Sequence, residues 1–376
     1  MRIGLDGRLL IRQLRGMALH INNTLHEILK VDPQNEYRLY IHENFAYNVV
    51  PEEYTPVLDA LKKYPNLSVV NIDAPNAFQW EQRYLPNRLK SENLDILHMP
   101  ANRAPFRCPA RKLIVTVHDM IEIIFFDHFF RGLSGLRGRF YEYRVELYIK
   151  FMYKYIFPRA DLIFTVSESS RQDIHRIIGV PLSKIKVCCN AHNPLFKYLD
   201  LSRKKYLLTF GKGAKHKNSD SVLKAFAMLP DDLKEHYQLL IVGKTPSLEH
   251  LAAELDEKNI IFTDADDQTL LELYNKALGF VFVSFYEGFG IPALEAMVCG
   301  TPVIASTTSS VPEIVGDAGL LVNPKDITQI RDAMQKILTD EKLRAKLSKA
   351  GLKRAELFSW KKNADMHLEV YKQCAQ

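Results

Sequence analysis

The residues best equipped for chemistry lie between Phe280 and Ala305, FVFVSFYEGFGIPALEAMVCGTPVIA. An apolar run ends at Phe285, Gly288 and Gly290 permit a tight turn, and Pro292 stands where a helix would begin, a position at which the missing N–H costs nothing. Gly300 suits the left-handed residue that stops such a helix after Cys299. Strand, glycine turn and helix start together aim free backbone amides and a positive dipole end at an anion, and phosphate is the anion expected. Two carboxylates flank those amides, Glu287 before the glycines and Glu295 within the first helical turn or so. An acid beside a phosphate is tolerated where it accepts hydroxyl hydrogen bonds, so the pattern suggests sugar or ribose hydroxyls next to a diphosphate. The same two residues also fit a solvated loop acid and a glutamate favoured by the helix dipole, and spacing alone leaves both readings open.

Cations occur in the loop GKGAKHKN, Gly211 to Asn218, directly after the apolar run Tyr206 to Phe210. Its lysines can neutralise a diphosphate or form a solvated basic turn. His118 follows LIVTV and so stands at the carboxyl end of a strand, where a histidine is commonly structural; Asp119 beside it suits capping of the next turn. His98, His175 and His192 belong to no H-x3-H pair and have no cysteine or carboxylate set at ligand spacing, so they are read as structural or solvent-facing and no metal is expected.

These residues must be positioned by an alternating βα chain. Short apolar runs at Arg2–Asp6, Tyr37–Ile41, Leu67–Val70, Asp95–His98, Lys112–Val117, Leu162–Val166 and Ile185–Cys188 are separated mainly by helical spacing. After the basic stretch Lys197–Lys205 the pattern restarts at Tyr206–Phe210, Gln238–Val242, Asn259–Thr263, Gly279–Phe285 and Pro302–Ala305. A single sheet of twelve strands would be unusually large. Two doubly wound α/β domains are therefore expected, divided near residue 195, with ligands beyond the carboxyl ends of the strands.

Several longer segments carry a family resemblance. EGFGIPALE at Glu287–Glu295 resembles the E-x7-E motif of family-four (group 1) retaining glycosyltransferases of the GT-B fold. So do CGTPVIAS, VPEIVGDAGLLVNP, LLIVGK at Leu239–Lys244, TVHD at Thr116–Asp119 and ADLIFTVSESSRQDI at Ala160–Ile174. The resemblance covers most of the chain, weakly between residues 43 and 90. It implies two Rossmann-like domains facing a cleft: an acceptor-side domain over 1–195, onto which a C-terminal helix, 358–376, packs back, and a nucleotide-sugar domain over 196–357. It further implies that Glu287 bonds the transferred sugar, that the amides of Phe289 and Gly290 seat it, and that Glu295 holds the ribose. Gly211, Lys212 and Lys217 would meet the diphosphate, with Lys212 replacing the family's usual arginine and so offering a point charge in place of a fork. His118 would lie over the donor sugar as a catalytic residue. Gly16 would let backbone approach the phosphates, although the segment Gly16-Met17-Ala18-Leu19-His20 lacks the second glycine and the arginine that relatives carry. Asp264 stands where relatives commonly have glycine near the base, so the donor's identity is not inherited.

The expected activity is metal-independent transfer of a hexose, mannose first, from a GDP- or UDP-linked sugar, with no resident cofactor, to a glycan or lipid-linked acceptor of a surface polysaccharide. A GT-B epimerase and an inactive nucleotide-sugar-binding subunit are the alternatives. Residues 131–159 combine seven bases and two acids with Tyr and Phe. Such a helix can lie on an anionic membrane or pack into the core with a solvated basic edge, and the rings, falling on several faces, favour packing.

Composition sets the outer limits. The 376 residues contain 47% hydrophobic and 25% charged residues, an ordinary globular mixture. A net charge of +6 is small for this length and argues against a dedicated nucleic-acid binder. Five cysteines without C-x-x-C spacing suit a reduced cytoplasmic protein, the expected location extending to the inner face of the plasma membrane. The opening MRIGLDGRLL reads as a core strand and not as a signal peptide.

Overall fold

The computed structural model describes residues 1–11, 16–43, 51–126, 135–211 and 215–375. It divides into two compact units, one holding the chain up to Asn190 together with Ser359 onward, the other Ala191–Phe358.

In the first unit, seven strands form one parallel sheet: β1 (Arg2–Asp6), β2 (Glu36–Ile41), β3 (Leu67–Asn71), β4 (Ile96–Met99), β5 (Lys112–Thr116), β6 (Leu162–Thr165) and β7 (Ile185–Val187). The order is β3-β2-β1-β4-β5-β6-β7. Ile3 pairs with Tyr37 on one side and Ile96 on the other, so the winding reverses between β1 and β4. Every residue of β4 is buried, as a strand covered by helices on both faces requires. On one face α1 (Met17–Val31) and the terminal helix Trp360–Ala375 share a core in which Ile21, Leu25 and Ile28 meet Ala364, Leu368 and Tyr371, joined by Leu58 and Leu61 of the helix Pro51–Lys62. Thr24 Oγ1 donates to Asn363 Oδ1 at 2.7 Å between them.

The second unit repeats the plan with β8 (Tyr206–Phe210), β9 (Gln238–Val242), β10 (Ile260–Thr263), β11 (Gly279–Phe282), β12 (Val303–Ser306) and β13 (Gly319–Val322). Their order, β10-β9-β8-β11-β12-β13, reverses between β8 and β11. Two strand readings need correction. β13 was not expected, although Leu320–Val322 are consecutive apolar residues; it is an edge strand, mostly half-buried or exposed. β11 stops at Phe282, three residues early, because Val283 O and Phe285 N turn to a loop: Val283 O accepts from Asn218 Nδ2 at 3.0 Å and Phe285 N donates to His216 O at 2.7 Å.

Helix α2 (Gly135–Phe151) runs on into a π turn over Met152–Ile156. Its inner face buries Ile149, Met152, Tyr153 and Ile156 as expected. The outer face differs from the solvated basic edge read from the sequence, because it is aromatic as well as basic: Phe140, Tyr143, Phe151 and Tyr155 are all exposed.

Candidate functional site

In the second unit, the segment after β11 is fixed from beneath by hydroxyls. Ser309 Oγ accepts from Glu287 N at 2.8 Å and donates to Glu287 O at 3.0 Å. Ser310 Oγ lies 2.9 Å from Glu287 O and 2.8 Å from Phe289 O. Gly290, with φ of 114°, takes a left-handed conformation that side chains resist, and it caps α3 (Ile291–Val298). Pro292 is therefore the second helical residue, one later than the spacing suggested. Glu295 is buried one turn further on, and beside it burial and the Glu295 charge push the Tyr274 hydroxyl well above its ordinary pKa.

The cation arrives from the loop after β8. Lys217 ends a 3-10 turn, and its Nζ lies 2.8 and 2.9 Å from the two carboxylate oxygens of Glu287. Glu287 is buried and Lys217 is about a third exposed, so the pair is partly desolvated and its cation still meets solvent. Asn218 holds the loop down in a left-handed conformation, donating to Val283 O and Pro324 O at 3.0 and 2.7 Å. Gly211 is needed for space: a Cβ there would stand 2.4 Å from Gly243 O. Lys212 lies outside the described residues. Lys217, Glu287, Phe289, Gly290 and Glu295 thus sit along one pair of loops and one helix start, the geometry of an anion beside hydroxyl acceptors.

In the first unit, His118 follows β5. Its backbone N–H donates to Asn102 Oδ1 at 2.9 Å and its Nε2 lies 3.0 Å from Pro100 O. A carbonyl only accepts, so Nε2 carries the proton and Nδ1 is the acceptor. Burial lowers the His118 pKa to about 4, keeping the ring neutral. His20 stands edge-on to it, ring centroids 4.9 Å apart, and Gly16 O accepts from His20 N at 3.2 Å. Gly16 itself has φ of 53° and open space around a Cβ. Gly16, His20 and His118 therefore form one cluster, with His98 and His367 adjoining it.

Sequence reasoning passed over Ser309, Ser310 and Asn102 as parts of these sites; the Ser-Ser step before Val311-Pro312 was a usable signal, whereas nothing local marks Asn102. It also passed over the Asp-x-Asp spacing of Asp264 and Asp266. Asp266 serves as a helix cap, accepting from Thr269 N at 2.8 Å. Among the described residues no three His, Cys, Asp or Glu side chains converge as a metal site.

Both halves of the chain match known protein families. Residues 195–354 match the model for glycosyl transferases group 1, and residues 40–194 match glycosyltransferase family 4. O-antigen chain mannosyltransferase B of Escherichia coli is 32% identical over 252 residues, which are 61% of this chain and 66% of that protein. Serotype-specific mannosyltransferase WbdA of the same species is 29% identical over 299 residues, 74% of this chain but 35% of that protein. The chain thus spans just under two thirds of the first relative and about a third of the second. Among solved structures, WaaG, a glycosyltransferase involved in lipopolysaccharide biosynthesis, superposes with a TM-score of 0.71 at 15% identity over 99% of both chains. HepE of Anabaena in complex with UDP-glucose gives 0.70 at 15% identity, covering 99% of this chain and 100% of that one. At such identity these two speak for the fold, and with the two parallel sheets they make it GT-B. On both family matches, the chain belongs to the group 1, family-four glycosyltransferases.

Proposed function

We propose that this chain transfers a hexose, mannose in the first instance, from a nucleoside-diphosphate sugar to a glycan or lipid-linked acceptor in surface polysaccharide assembly, with retention and without a metal, in the cytoplasm. The observation that carries the reading is the Lys217–Glu287 pair at the turn into α3. A cation, two turn amides and a helix start would take up the charge growing on a departing diphosphate. Carboxylates at Glu287 and Glu295 would accept hydroxyls of sugar and ribose. In this reading Lys217, joined by Lys212, faces the phosphates, Phe289 and Gly290 seat the sugar with their amides, and Gly211 and Gly16 keep room for backbone to approach. His118 would offer its unprotonated Nδ1 to a hydroxyl of the transferred sugar. The departing phosphate would accept the proton of the attacking acceptor hydroxyl, so the bond to the acceptor forms on the face from which the diphosphate leaves. Mannose is put first because the relatives with O-antigen in their names are mannosyltransferases.

The test is thermal unfolding of the whole chain with GDP-mannose, UDP-glucose, UDP-galactose, UDP-N-acetylglucosamine and dTDP-rhamnose, each against its bare nucleoside diphosphate. A donor at 100 times its Kd adds about 2.7 kcal/mol and raises the midpoint by several degrees. Glu295→Ala should remove that shift, while His118→Ala should keep it and lose turnover in a transfer assay. No shift with any donor in folded protein would overturn the reading, and epimerised donor without transfer would replace it by epimerisation.

A further inference from the structure

We propose that Phe78 and Phe106, with the Arg103–Glu122 pair beside them, form a subsite for the inner sugars of an oligosaccharide acceptor, so that the chain extends a glycan already several sugars long. This rests on the sugar transfer proposed above and narrows its acceptor to a glycan. Topology brings these residues to the edge that carries His118. The carboxyl ends of a parallel sheet share one edge, where ligands bind; Phe78 follows β3, Phe106 follows β4, and His118 and Glu122 follow β5. Strands β2 and β1 separate β3 from β4, and Arg8, just after β1, spans that gap. Its guanidinium lies 4.1 Å from the Trp80 ring and donates to Ala77 O at 3.4 Å and to Glu81 Oε2 at 3.0 Å.

A continuous line of contacts joins His118 to the rings. Asn102 holds His118 N and donates through Nδ2 to Tyr153 OH at 3.1 Å, and Tyr153 OH lies 3.4 Å from Glu122 Oε2. Glu122 accepts from Arg103 at 2.8 and 3.0 Å, and the Arg103 guanidinium stands 5.9 Å from the Tyr148 ring. Phe78 and Phe106 meet that ring at 5.6 and 6.3 Å. Both phenylalanines are nevertheless open to solvent, 53% and 37% exposed. Their backbones are fixed: Asn76 Oδ1 caps the turn of Phe78 by accepting from Gln79 N at 2.9 Å, and Gln82 Oε1 accepts from Phe106 N at 2.7 Å. Exposed rings on a fixed backbone are already ordered for binding.

The chemistry of the patch selects a sugar. A sugar residue has an apolar C–H face and a rim of hydroxyls, each both donor and acceptor; an exposed ring covers the face, and a charged planar pair reads the rim. Three of the five guanidinium N–H groups of Arg103 go to Asn102 O and the Glu122 carboxylate, and that carboxylate keeps further lone pairs. The pair is 30% and 23% exposed, so one hydroxyl can accept from Arg103 while donating to Glu122. A second protein surface would strip this ion pair of its solvation, whereas sugar hydroxyls replace it.

The experiment is calorimetric titration of the full chain with α-mannotetraose and maltotetraose, each against its monosaccharide, with thermal unfolding of the same samples in the donor panel. One tetrasaccharide should bind about tenfold more tightly than its monosaccharide, since each ring contributes roughly threefold or more. Phe78→Ala/Phe106→Ala should lose that advantage, and Phe78→Tyr/Phe106→Tyr, which keeps the rings, should retain it. Phe78→Ala alone, at the more exposed position, should lose about threefold with an unchanged melting midpoint. Glu122→Gln, which weakens a charge-assisted bond, should cost about fivefold. Equal affinity for tetrasaccharide and monosaccharide, or an undiminished advantage in the alanine variants, would overturn the proposal. Donor-induced stabilisation separates this from the transfer itself: a donor shift without preference for either tetrasaccharide overturns the subsite alone, and no donor shift overturns the transfer. Concentration-dependent dimerisation lost with the rings, without glycan binding, would overturn the subsite and make the patch an interface between copies.

Discussion

Acidification from pH 7.5 to 5.5 should destabilise the first unit far more than surface histidines would. His20, His98, His118 and His367 are buried in one cluster. Burial is the leading cause that depresses each, His118 and His367 to about 4 and His20 and His98 well below 6.5. A histidine held neutral in the fold takes up a proton only on unfolding. Between the folded value and 6.5 the unfolded chain therefore binds more protons, so stability rises with pH through that window and is lost as pH falls through it. At pH 5.5 each such group costs a little over 1 kcal/mol, and four together about 5 kcal/mol. For a unit of roughly 200 residues that lowers the midpoint by about 10–20 °C. His26 and His42, also lowered mainly by burial, act in the same direction. The assay is calorimetric melting across pH 5.5 to 7.5, in the unaltered chain and in His367→Gln, which should reduce the slope by close to one proton. A slope below one proton per molecule, or an unchanged slope in His367→Gln, would refute the account of the cluster as buried neutral bases.

Three further outcomes test the second unit and the His118 support. Lys217→Met leaves the Glu287 carboxylate buried without its cation and should cost about 2 kcal/mol by denaturant unfolding, whereas Lys217→Met/Glu287→Gln should recover most of that and still fail to bind donor. Gly211→Ala drives a Cβ into Gly243 O and Ile241, so its midpoint in urea should correspond to a loss of 2 kcal/mol or roughly more. Asn102→Ala removes the acceptor from His118 N and the donor to Tyr153; turnover should fall about tenfold with donor-induced stabilisation unchanged, and equal loss of both would argue for a merely structural asparagine.

What could be read from the sequence followed from local order. Apolar β-branched runs located twelve of the thirteen described strands, since a strand buried on both faces shows itself in four or five consecutive residues. The half-exposed edge strand Gly319–Val322 escaped although it is apolar, because its run, Leu320–Val322, is only three residues long and follows directly on the turn-like Gly316-Asp317-Ala318-Gly319. The turn glycines and Pro292 marked the start of α3 to within one residue, because helix entry has local stereochemical requirements. The aromatic stripe of α2 was hidden for the opposite reason: apolar residues occupy both faces, and only the fold decides which face is covered.

The partners of the functional residues were beyond such reading. Lys217 and Glu287 are 70 residues apart, and His20 and Asn190 are 170 apart at 2.7 Å. Local periodicity and turn chemistry by themselves determined that this chain builds two α/β sheets and where the glycine loops fall. The tertiary structure alone decided that Lys217 closes on Glu287, that Ser310 braces the turn and that four histidines share one core. Those contacts depend on the spatial order in which strands lie side by side, and residues brought together across a sheet leave no mark at any fixed spacing along the chain.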